Sequence, residues 1–65
     1  MTKSTHIYAF QLMVGDNIML GGRYLSISDI KGVYEYGRGL AVDIRTQVGW
    51  TRLFANTQVE VYRNV

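Results

Sequence analysis

The chain has 65 residues, 48% of them apolar, with seven Lys and Arg against five Asp and Glu and a net charge of +2. It has no Cys and one His, which excludes a disulfide framework and a zinc site built from Cys and His. A chain of this size makes one domain and buries only about 60% of the surface it exposes when unfolded, so tight β-packing or self-association must supply its stability.

The expected organisation is a single domain over residues 1–65. Residues 1–5, MTKST, are polar and expected to be frayed. From His6 the chain alternates, with Tyr8, Phe10 and Leu12 on one face and Ile7, Ala9 and Gln11 on the other, which predicts a first strand with apolar residues on both sides. Val14-Gly15-Asp16 is a turn, with Asp16 or Asn17 bonding the local backbone. Ile18 and Leu20 then alternate, Gly21-Gly22 reverses the chain, and Leu25 and Ile27 alternate on the way back. A Gly-Gly pair between two alternating runs predicts a two-residue hairpin, because the primed turns need positive φ.

Around Asp29-Ile30 the alternation slips by one, which predicts a β-bulge there, and Gly32 offers a further bend. Val33–Tyr36 continues the strand or starts a new arm, and Gly37-Arg38-Gly39 turns it. Leu40, Val42 and Ile44 alternate with Ala41, Asp43 and Arg45 as the cleanest strand of the chain. After Gln47-Val48-Gly49 comes a strand over Trp50–Ala55. Either Thr51, Leu53 and Ala55 point inward or Trp50, Arg52 and Phe54 do; the first choice is preferred because it buries no charge, and it leaves Trp50 and Phe54 outside. Ala55-Asn56-Thr57 is the expected place for a single 3-10 turn, followed by a last strand with Val59 and Val61 inward. No window of eleven residues keeps a helical apolar period, so no other helix is expected.

This pattern resembles an SH3-like small β-barrel. The residues that carry the resemblance are Val14-Gly15-Asp16-Asn17-Ile18, the Gly21-Gly22 hairpin, the Ile27–Ile30 bend, Leu40–Ile44 and the closure Ala55–Val61. The opening of the form L-x-V-G-D-x-I…G-G-x-x-x-x-I-x-x-I also looks like that of many short bacterial and phage proteins. The resemblance implies an all-β fold: a five-stranded barrel, made of a strongly bent antiparallel sheet. It does not settle function, because barrels of this kind bind peptides, bind nucleic acids or form RNA-binding rings. The acidic loop and ALYDY-like segment of peptide-binding SH3 domains are missing, and residues 1–11 do not read as the N-terminal helix of Sm-like rings.

The candidate binding residues are Tyr24, Tyr34, Tyr36, Arg38, Arg45, Trp50, Arg52 and Tyr62. Strand alternation turns Tyr24 and Tyr62 away from the core, opposite Leu25 and Val61. Tyr34 and Tyr36 share a face, and Arg38 sits between two glycines on a turn tip. Tyr, Trp and Arg are enriched among interface hot spots, and they also stack on nucleic-acid bases. Each ring alone is equally explained by packing over the ends of a small barrel, and Arg38 alone by a solvated turn. Asp16 reads as a turn former, Asp29 as a bulge residue, and Asp43 and Glu60 as exposed strand residues paired across the sheet with an Arg; neither they nor His6 form a catalytic constellation. No phosphate-binding glycine loop is present.

These residues imply a non-enzymatic module without cofactor that binds another protein and itself, of which a phage or prophage accessory protein engaging a host factor is one form. The alternative is a nucleic-acid-binding module, with Arg38, Arg45 and Arg52 on phosphates and Tyr24, Tyr34, Tyr36 or Trp50 stacking on bases. A net charge of +2 is below the basic excess usual for non-specific nucleic-acid binders. The start of the chain lacks the apolar stretch of about 7–15 residues of a secretory leader. No run approaches the roughly 20 apolar residues of a membrane span. A cytoplasmic protein with no membrane partner is therefore expected.

Overall fold

The computed structural model describes residues 2–64. Its strands are β1 (Thr2–Tyr8), β2 (Asn17–Leu20), β3 (Arg23–Ser26), β4 (Asp29–Tyr36), β5 (Gly39–Thr46), β6 (Gly49–Phe54) and β7 (Gln58–Asn64). They form two antiparallel sheets, one ordered β1-β7-β2-β3 and the other β4-β5-β6. The fold is all-β, but with seven strands where five were expected, and the sheets do not close into a barrel. β7 takes β1 on one side and β2 on the other, while among the described residues β6 has β5 as its only strand partner. The outer edge of β6 therefore stays open.

The strands differ from the expected ones at two places. The segment expected to fray is paired instead, with β1 running from Thr2 and matched residue for residue against β7. The long bent strand is divided at Ile27-Ser28. There the N–H of Ile27 bonds to the carbonyl of Asp16 at 2.9 Å, and that of Ser28 bonds to the carbonyl of Arg45 at 2.8 Å. Adjacent residues thus bond to the turn leading into β2 and to β5, and the chain passes from one sheet to the other. Ile27 is buried from the first sheet and Ile30 packs against the same core from the second. That handover, and not a bulge, produces the slip in alternation at Asp29-Ile30. Asp29 and Ile30 pair in register with Arg45 and Ile44, and the bulge lies between Lys31 and Tyr34, at Gly32-Val33.

The 3-10 turn is also elsewhere, at Ala9–Gln11. Ala9 is small and buried there, and Gln11 Oε1 accepts the N–H of Tyr8 at 2.9 Å. Ala55-Asn56 instead forms a simple turn, closed by the N–H of Thr57 on the carbonyl of Phe54 at 3.0 Å.

The core lies between the sheets and is built from Ile18, Leu25 and Ile27 on one side, Val42 and Ile44 on the other, and Val59 and Val61 from β7. Thr51 and Leu53 are half-buried and Ala55 is buried, while Trp50 and Phe54 face out. The β2–β3 hairpin turns on Gly21 and Gly22, whose φ angles of +59° and +76° meet the type I′ requirement of positive φ at both central residues. A side chain at Gly22 would meet open space, so only the backbone opposes one. Gly22→Ala is expected to destabilise the domain by about 1 kcal/mol, the cost of a non-glycine residue in left-handed conformation. A urea midpoint, compared with wild type, measures it.

Candidate functional site

The outer face of the β4-β5-β6 sheet gathers five of the eight predicted binding residues. Val42 and Ile44 fill the core, so Ala41, Asp43 and Arg45 of β5 face outward. The register sets Phe54, Arg52 and Trp50 of β6 directly beside these three. On β4 the bulge sets Tyr34 opposite Ala41 and leaves Lys31 opposite Asp43. Without the inserted residue, Lys31 and Tyr34 would point to opposite faces, because strand side chains alternate. The bulge thus brings Lys31, Tyr34 and Tyr36 onto the face that carries Trp50 and Arg52.

These side chains lock one another. Tyr34 donates its hydroxyl proton to Asp43 Oδ1 at 2.7 Å, and Arg52 Nε donates to the Tyr34 oxygen at 2.7 Å. The same Nε lies 3.6 Å from Asp43 Oδ1. The Arg52 guanidinium stacks over the Tyr36 ring at 4.1 Å, and the Lys31 ammonium sits over Trp50 at 4.9 Å. Tyr36 meets Tyr34 edge-on at 6.5 Å and Phe54 at 6.2 Å. Ala41 is fully covered beneath this layer, since its methyl leaves room for the rings to close over it. The bond to Asp43 raises the Tyr34 phenol above its ordinary pKa, and burial adds to the rise; Arg52 opposes both. The bond to Tyr34 likewise raises Arg52, against a smaller opposing effect of desolvation.

The other predicted residues lie apart from this layer or at its margin. Arg45 is exposed beside Trp50. Arg38 projects from the β4–β5 turn, where it lines a shallow hollow with Glu35 and Leu40. Tyr24 and Tyr62 belong to the opposite sheet, with ring centroids 5.2 Å apart. Tyr62 donates to Glu60 at 3.0 Å, so Glu60 takes a phenol where an Arg partner was expected. The predicted residues therefore form two aromatic faces on different sheets.

The sequence reading did not include Lys31, Asp43 or Phe54 in the site. The Arg expected across the sheet from Asp43 is Arg52, set directly opposite it in the β5–β6 register. Phe54 has a second role: with Phe10 and Leu40 it lines an apolar hollow of about 280 Å³ at one end of the molecule.

Asp16 is a different kind of polar site. Its side chain is almost completely buried, accepts the N–H of Met13 at 2.9 Å, and receives two bonds from Arg63 at 2.9 and 2.8 Å. Burial pushes its carboxyl up, but the bonds from Arg63 and Met13 and the Arg63 charge outweigh this and hold it below the ordinary value of 3.8. Arg63 was not anticipated, since 47 positions separate it from Asp16.

Among the described residues no group of three or more His, Cys, Asp or Glu could hold a metal ion, and no helix is long and apolar enough to cross a membrane. Comparison of the chain with family models, curated proteins and solved structures gave no match.

Proposed function

We propose that the protein is a non-enzymatic binding module whose ligand is another protein, including a second copy of itself, engaged through the outer face of the β4-β5-β6 sheet. The observation that carries this reading is the preassembled layer of Tyr34, Tyr36, Trp50, Arg52 and Phe54. Large, ordered rings with an interleaved Arg present contact area at low entropic cost, as interface hot spots do. Trp50 and Phe54 remain 45% and 52% exposed, so the layer is not simply an extension of the core. A cytoplasmic, phage-type accessory protein that engages a host factor is one form of this reading, and it rests on the sequence resemblance alone.

Nucleic-acid binding is the weaker reading, because two of the three cations of this face, Arg52 and Lys31, are already engaged and, among the described residues, only Arg45 is exposed without a side-chain contact. Arg52 is held by Tyr34, Asp43 and Tyr36, and Lys31 lies over Trp50. A phosphate at Arg52 would have to displace Asp43 or approach beside it. Trp50 is the chain's only tryptophan, so its fluorescence reports directly on this face. Titration with a single-stranded oligonucleotide at low salt is expected to leave its emission unchanged. Quenching that fades as salt rises would establish the nucleic-acid reading instead.

Trp50→Ala is expected to weaken self-association about tenfold, within the range for an interface aromatic, while the fold persists. Sedimentation and far-UV circular dichroism measure the two effects separately.

A further inference from the structure

We propose that β6 pairs edge to edge with β6 of a second copy, in the antiparallel two-fold register that sets Trp50 of one copy opposite Arg52 of the other. The inference rests on the binding-module reading and specifies how self-association occurs.

The first observation is the direction of the β6 backbone groups. Ala55 donates its N–H to the carbonyl of Leu40 at 2.8 Å, and the same register continues through Val42–Leu53, Ile44–Thr51 and Thr46–Gly49. Bonded and non-bonded pairs alternate along an antiparallel ladder. The N–H and C=O groups of Trp50, Arg52 and Phe54 therefore point away from β5, toward the open edge. The Phe54 carbonyl already accepts Thr57. Trp50 and Arg52 retain both groups for a new strand.

The second observation is that the other edges are defended. β3 has four residues, and Gln47 Oε1 takes the N–H of Ser26 at 2.7 Å. The bulge at Gly32-Val33 interrupts β4. β1 is polar from Thr2 to His6 and carries Lys3. Short strands, bulges and edge lysines all discourage pairing. β6 has none of these features and continues in unbroken register over Gly49–Phe54.

Self-complementarity then selects the occupant and the register. A two-fold axis at Arg52 would set two guanidinium groups directly opposite, which is destabilising. An axis at Leu53 would use the Phe54 carbonyl that Thr57 holds. An axis at Thr51 pairs Trp50 with Arg52 of the second copy, and Arg52 with its Trp50, using only unclaimed backbone groups. Each Arg52 then lies between its own Tyr36 and a Trp50 from across the interface, a cation–π arrangement made twice by symmetry. The result is one continuous sheet of six strands, β4-β5-β6 from each copy.

The native chain has no Cys, so single cysteines report the register without background. An axis at Thr51 makes Thr51 face its own counterpart as a non-bonded pair about 4.5 Å apart at Cα, within disulfide reach. Two copies of residue 53 would be roughly 13 Å apart, beyond it. Thr51→Cys is expected to form a covalent dimer under mild oxidation at about 100 µM chain, and Leu53→Cys to stay reduced. In unsubstituted protein, the N–H groups of Trp50 and Arg52 are expected to exchange at least about tenfold more slowly as concentration rises. Leu53→Cys cross-linking as fast as Thr51→Cys, or a wild-type dimer without protection at Trp50 and Arg52, would overturn the β6 pairing while leaving self-association through another surface. A wild-type chain that is monomeric at this concentration would overturn both.

Discussion

Ile44→Ala is expected to leave the domain largely unfolded at room temperature. Ile44 has no exposed surface and lies between the sheets, among Ile18, Val42 and Val61. Truncating a buried Ile costs about 2–5 kcal/mol, through lost burial and the cavity that remains. A domain of this size rarely has more than about 3–5 kcal/mol from its core, so this loss is comparable with its whole stability. Ile44→Val removes a single methylene and costs about 0.5–1.5 kcal/mol, so it should remain folded. Urea denaturation followed by far-UV circular dichroism separates the two variants. A cooperative Ile44→Ala transition near the wild-type midpoint would mean that the sheets do not pack on this residue.

Asp16→Ala is the second large effect, with an expected loss of about 1–3 kcal/mol for the bonds broken at a buried acceptor. It leaves the N–H of Met13 without its acceptor and Arg63 without its partner. Arg63 is 36% exposed, so water recovers part of its loss, and the buried end of the interaction carries most of the cost. The pair also sets an acid limit. The Asp16 pKa is lower in the folded state than in the unfolded chain, where it is near 3.8. The unfolded chain therefore binds the proton more readily, and the contribution of this group is present above about pH 4 and is lost as pH falls through the folded value. Asp16→Asn abolishes that group's titration, so its stability should change less with pH below about 4 than the wild type's. Identical acid profiles for the two would show that Asp16 does not contribute the difference.

Much of the fold is legible in local pattern. Gly21-Gly22 marks its turn because few other residues adopt positive φ twice in succession, and the Leu40–Ile44 alternation shows its buried face at once. The inward choice of Thr51, Leu53 and Ala55 follows from the cost of burying Arg52. What local pattern does not carry is where the backbone groups bond. Ile27 and Ser28 look like consecutive residues of one strand, yet they bond to Asp16, just before β2, and to Arg45 of β5 in the other sheet. The pairing of β1 with β7 likewise joins segments more than fifty residues apart, so a polar start that reads as frayed becomes a strand. The site was legible to the same extent. Alternation turned Trp50 and Arg52 outward, but a bulge displaced from Asp29 to Gly32-Val33 decides which face Lys31 shares with Tyr34. Distant partners such as Asp16 and Arg63 leave no local trace at all.

On the proposed reading, the β4-β5-β6 sheet binds protein through its outer face and joins two copies of the chain. Sedimentation equilibrium tests it most directly, over about 1–100 µM, at low and moderate salt, with and without a single-stranded oligonucleotide. The predicted result is a mass that rises from the 7.4 kDa of one chain toward twice that value, indifferent to salt and to oligonucleotide. A mass that stays at 7.4 kDa until oligonucleotide is added, and falls back as salt increases, would contradict it.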